Sequence, residues 1–152
     1  MADAAQRALR NKKVGDMAVD GLLAGILGGL AMAVYLVLSS FLNGASPAVT
    51  LGRFDPSLQG VWLPGVLAHL AVSAVYGVIF ALLFALPIRR WPALRRFGWL
   101  VGLAYGLILM ALAQGVLLPA TGSPLLQMGA IHLALAHALY GVVLGYEVSR
   151  RW

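Results

Sequence analysis

Four apolar runs dominate this chain, at residues 21–42, 61–86, 98–118 and 125–148. Each is long enough to cross a hydrocarbon core about 30 Å thick, which takes about 20 residues of helix. Bare N–H and C=O groups are costly in lipid, and a helix satisfies its own. The expected fold is therefore all-α: an integral membrane four-helix bundle. Composition agrees, since hydrophobic residues make up 61% of the chain, charged residues 11%, and mean hydropathy is +0.88. A protein this small cannot clothe such a sequence in water. Cysteine is absent, which excludes disulfides, thiolate metal sites and cysteine nucleophiles.

The net charge of +6 would point to nucleic acid in a soluble protein. Here the charges flank the apolar runs, so they point to a membrane surface and not to nucleic acid. Of the 11 basic residues, Arg53 alone stands between runs one and two. Arg7, Arg10, Lys12 and Lys13 precede the first run; Arg89, Arg90, Arg95 and Arg96 separate the second from the third; Arg150 and Arg151 follow the fourth. By the positive-inside rule both termini are cytoplasmic, in what reads as a bacterial plasma membrane. Trp62, Trp91, Trp99 and Trp152 fall at run ends, where amphipathic rings prefer the headgroup level. Residues 1–20 read as a basic cytoplasmic segment, and 21–152 as the transmembrane domain. The first run is longer than the apolar core of a signal peptide, so it is expected to stay as a span. All seven prolines are expected in loops or first helical turns, where a missing N–H costs nothing.

Glycines are spaced by four in the first run (Gly21, Gly25, Gly29) and in the third (Gly98, Gly102, Gly106). The fourth adds Gly141 and Gly145. Residues four apart share a helix face, and a glycine stripe lets a neighbouring backbone come close where lipid supplies no hydrophobic drive. Aligning Gly21 with Gly98, Ser73 with His137 and Tyr76-Gly77 with Tyr140-Gly141 makes the chain two helical hairpins in a weak parallel repeat.

The polar residues within the runs are few: Ser39, Ser40, His69, Ser73, Gln114, His132, His137, and Glu147 near the inner end, where it can pair with Arg150 and Arg151. No carboxylate lies at mid-depth, against a proton- or cation-coupled transporter of the usual type. All three histidines are intramembrane. His69 and His132 should share a depth, near Gln114, while His137 should lie deeper. On a helical wheel His69 points about 20° from Tyr76, and His137 about 60° from Tyr140 on the same side. His132 points roughly 80° the other way. Two histidines on facing helices can hold a b-type haem. Three readings stay open: a haem or quinone site, with His69, His132, His137, Gln114, Tyr76 and Tyr140 as candidates; interhelical hydrogen bonding by the histidines; or a transported substrate or metal, with Gln114, His69 and His137 as polar stations.

The glycines of the first run, His69 with Tyr76-Gly77, and the fourth-run motif His137-x-x-Tyr140-Gly141-x-x-x-Gly145 together resemble a group of small bacterial four-span membrane proteins. No activity is assigned to that group, so the resemblance implies a four-span fold and no chemistry. With no nucleophile, carboxylate pair or metal motif in the sequence, an enzyme is not expected. The expected role is an accessory or assembly subunit of a larger membrane complex of respiratory or photosynthetic type. It would pack against other integral membrane subunits or itself. An electron-transfer protein holding b-type haem or quinone is the alternative, and a small transporter or channel the next.

Overall fold

The structure is a computed structural model that describes residues 12–152. Arg7, Arg10 and most of the basic N-terminal segment lie outside the described residues. Within them all regular structure is helical: α1 (Val14–Leu42), α2 (Pro47–Gly52), α3 (Trp62–Arg90), α4 (Gly98–Leu112), α5 (Leu118–Thr121) and α6 (Ala130–Arg151). A π-helical segment, Ala113–Leu117, joins α4 to α5, and 3-10 turns cover Pro92–Phe97 and Pro124–Gln127. Four stretches are long and apolar enough to cross a membrane: α1, α3, Pro92–Thr121 and α6.

Several boundaries differ from the sequence reading, each for a local reason. α1 starts at Val14 rather than Gly21, with the Lys13 N–H donating to the Asp16 carboxylate at 3.3 Å. The expected segment boundary at residue 20 thus falls inside a helix. α3 runs on past Leu86 to Arg90, which puts Pro87 inside a helix after all. It sits in the last turn, where a proline costs one backbone bond. Pro119 likewise lies within the third span, and the π turn directly before it accommodates the lost bond to residue i−4. The fourth helix begins at Ala130, not Leu125, because Leu125 belongs to a 3-10 turn followed by extended backbone at Met128.

Neighbouring spans run antiparallel. α1 packs on α3 and α4 on α6, while α1 and α6 join the two pairs. Glycine lets the backbones touch. A Cβ at Gly21 would stand 2.5 Å from the Gly77 carbonyl oxygen, and one at Gly25 would overlap that of Ser73. In the second pair, added Cβ atoms at Gly98, Gly102 and Gly106 would overlap Ser149, Gly141 and His137 respectively. Gly141 and Gly145 press on Gly102 and Gly98 in return, and a Cβ at Gly29 would strike the Ser73 side chain. The contacts pair Gly21 and Gly25 with Gly77 and Ser73 as they pair Gly102 and Gly106 with Gly141 and His137. The two hairpins therefore match one helical turn away from the alignment of Gly21 with Gly98. Glycine spacing alone cannot distinguish registers four residues apart.

All described basic residues except Arg53 gather at one end, where Asp20 draws several together. Its carboxylate pairs with Lys12, accepts the Trp152 indole N–H at 3.1 Å, and lies 3.9 Å from Arg151. Lys12 also donates to the Arg151 carbonyl at 3.0 Å, and Arg89 to that of Lys12 at 3.1 Å. Glu147 accepts from Arg150 at 2.8 Å and Arg151 at 3.4 Å. Trp152 is consequently buried at 7% exposure, stacked on Phe84, and is not the headgroup anchor expected of it. Trp62, Trp91 and Trp99 do face outward.

At the opposite end, residues 43–60 fold back over the bundle. Asp55 is their organiser. Its carboxylate accepts the N–H groups of Val61 and Ser57 at 3.0 Å and the Ser57 hydroxyl at 2.8 Å, and these bonds, Val61 foremost, hold its pKa below the ordinary carboxylate value. The turn they close carries Leu58 in the left-handed region (φ 61°) and Gly60 at φ 74°, where glycine meets no strain.

Candidate functional site

The interior is filled unevenly. α3 and the third span keep their backbones farther apart than the other neighbouring spans do. Midway they meet through Tyr105, whose hydroxyl donates to the Tyr76 carbonyl at 2.9 Å and whose ring lies 5.2 Å from that of Phe80. Away from the basic end the gap widens into a cavity of about 180 Å³. His69, Ser73 and Tyr76 line it from α3, Leu109, Ala113 and Leu117 from the third span, and His137 and Tyr140 from α6. The π segment places Ala113 and Leu117 on this wall, in the kind of distortion that recurs at functional sites.

Backbone carbonyls set the chemistry of both histidines. His69 Nε2 lies 2.9 Å from the Gly29 carbonyl oxygen, and His137 Nδ1 lies 2.8 Å from that of Leu133. A carbonyl has no hydrogen to give, so these nitrogens carry the protons. In the neutral rings His69 Nδ1 and His137 Nε2 are then acceptors. Phe54, from the loop after α2, covers His69 with ring centroids 4.4 Å apart and also lines the cavity. Tyr140 crosses the interior, donating to the Ser73 carbonyl at 2.8 Å. Its ring fits because residue 28 is glycine: a Cβ there would lie 3.0 Å from Tyr140 Cδ2.

The structure thus brings His69, His137, Tyr76 and Tyr140 to one cavity. The wheel pointed His69 and His137 the same way, and the cavity spans their difference in depth. His132 goes elsewhere. Its Nδ1 lies 2.9 Å from Ser39 Oγ and 3.3 Å from Tyr35 Oη, in a separate polar pocket with Arg53 and Asn43. Gln114, in the π segment, does not line the cavity. Sequence reasoning missed Phe54 and Gly28. The one signal for Phe54 was that it is the single aromatic residue of the 43–60 connection; Gly28 lies one residue off the stripe and carried none.

Bis-histidine haem fits this arrangement poorly. His137 is held as a ligating histidine usually is, its Nδ1–H donated to a backbone carbonyl and its Nε2 left as the acceptor. His69 spends its Nε2 on Gly29, and His132 belongs to another pocket. A cavity of about 180 Å³ suits one six-membered ring, as an engineered cavity of about 150 Å³ takes benzene. A porphyrin is far larger. Comparison with protein families, curated proteins and solved structures gives no match.

Proposed function

We propose that this protein binds the ring of a lipid-soluble quinone or quinol in the cavity between α3 and the third span. The observation that carries the reading is the pairing of His69 and His137, each oriented by a backbone carbonyl, on the wall of a largely apolar, ring-sized cavity. Binding sites in general are apolar hollows with a few well-placed polar groups. The isoprenoid tail would leave between the two spans into lipid. By the positive-inside rule the basic end faces the cytoplasm of a bacterial cell, which places the cavity in the outer half of the membrane.

The test is organic extraction of protein purified in gentle detergent, with chromatography for bound quinone, followed by back-titration with a short-chain quinone. We expect near-stoichiometric ring compound in the wild type and its loss in Ala113→Trp, which fills the cavity. A wild type that neither retains nor rebinds quinone ends this reading. A Soret band in the purified protein would restore haem.

One observation favours a second role, as an accessory or assembly subunit of a larger membrane complex. Of the third span's apolar window 17% is buried within the chain, against 39% for each of the others. That face is open to a neighbouring subunit. Migration on a native gel as a lone small protein would count against it. A through-going pathway has less support, because Phe80, Phe84, Ile88, Leu144 and Val148 fill the interior between cavity and basic end.

A further inference from the structure

The basic end holds a second hollow, independent of the quinone reading. It is an open groove of about 550 Å³ between the 3-10 turn before α4 and the last turns of α6. Arg95, Arg96 and Arg150 line it, with Trp99, Tyr146 and Ser149 between them.

Charge is partitioned unequally across this end of the molecule. Asp20 is engaged by Lys12, Arg151 and Trp152, and Asp16 by the Lys13 N–H. Glu147 takes Nε and Nη2 of Arg150, at 3.0 and 2.8 Å, which leaves the Nη1 donors of that guanidinium. Among the described residues no carboxylate pairs with Arg95 or Arg96. The groove therefore concentrates positive charge that no carboxylate among the described residues fully neutralises.

The other walls point to the membrane. Trp99 and Tyr146 are 44% and 58% exposed, and amphipathic rings of this kind settle at headgroup depth. Guanidinium groups match phosphate oxygens in planar, two-point geometry. Basic pockets between membrane helices on this side are natural sites for anionic headgroups. We infer that the groove binds the phosphate headgroup of an anionic phospholipid, held by Arg95, Arg96 and the free donors of Arg150 and flanked by Trp99 and Tyr146.

The test uses the full chain in neutral detergent, titrated with short-chain phosphatidylglycerol and followed by thermal unfolding. Phosphatidylcholine of the same chain length and sodium phosphate are parallel arms. Arg95→Gln/Arg96→Gln is compared with Arg90→Gln, an exposed arginine at the same end that rests over Trp91 and does not line the groove. We expect saturable stabilisation by phosphatidylglycerol alone. The double variant should weaken the apparent Kd roughly 10- to 30-fold, at about fivefold for each surface charge, while Arg90→Gln stays within about twofold. Equal loss in Arg90→Gln shows diffuse surface attraction and overturns the site. An equal response to phosphatidylcholine or to sodium phosphate overturns the anionic lipid as occupant. Native mass spectrometry covers any variant that unfolds early: the wild type should retain at least one more phosphatidylglycerol than the double variant, and equal retention refutes the proposal.

Discussion

Replacing Gly102 with alanine adds one methyl group where the structure has no room for it. The new Cβ would lie 2.7 Å from Gly145 Cα and 2.8 Å from Gly145 N, with the Gly141 carbonyl oxygen nearer still. All three are backbone atoms, so no side chain can swing away. Carbon atoms rest about 3.5 Å apart or more, so α4 and α6 must part by about 1 Å. A gap of that size forfeits up to half of each atom-pair attraction, itself about 0.1–0.2 kcal/mol. Spread over on the order of 25 pairs along this seam, the loss is about 2 kcal/mol, within the usual cost of overpacking. That is about a 30-fold fall in the folding equilibrium constant. The assay is reversible unfolding in mixed micelles, read by helicity. Gly115→Ala is the internal control, since a Cβ there meets nothing within 4 Å. Leu100→Ala, at a side chain 42% exposed, should also be mild. Gly25→Leu and Gly145→Leu should be at least as damaging as Gly102→Ala. If Gly102→Ala matches Gly115→Ala while Leu100→Ala fails, the stripe faces lipid and the packing argument is inverted.

Tyr140→Phe removes the hydroxyl that donates across the interior to the Ser73 carbonyl. The same assay should show a loss of about 0.6 kcal/mol, the average for hydrogen bonds between membrane helices, and no more than about 1.7; a variant as stable as the wild type would count against the bond. Asp55 makes the loop of residues 43–60 acid-sensitive: its carboxyl pKa is lowered on folding, so its contribution is full above the ordinary carboxylate value and fades as pH falls through the folded value. Protection of the Ser57 and Val61 amides, measured as the exchange rate relative to the unfolded-chain rate at the same pH, should therefore fall at low pH in the wild type, and Asp55→Asn should abolish most of that dependence. A wild type whose exchange shows no extra acid sensitivity relative to Asp55→Asn would remove Asp55 as organiser of the loop.

The sequence by itself determined that four long apolar helices form, because backbone bonding in lipid leaves little else for runs of this length and composition. It also placed glycine where helices touch and basic residues at the span ends. Tertiary structure decided which glycines meet which, one turn from the alignment that spacing invited, because a four-residue slip leaves a glycine stripe looking the same. The helical wheel already turned His132 away from the side shared by His69 and His137, but it says nothing of rotation between helices, and only the packing set those two on one cavity and His132 beside Ser39. Trp152 and Phe54 show the same limit from opposite ends. Sequence position marked one as a headgroup anchor and the other as loop, yet the Asp20 carboxylate draws Trp152 inside and the fold of residues 43–60 lays Phe54 on His69. Those contacts join residues 132 and 15 positions apart, and no local pattern encodes them.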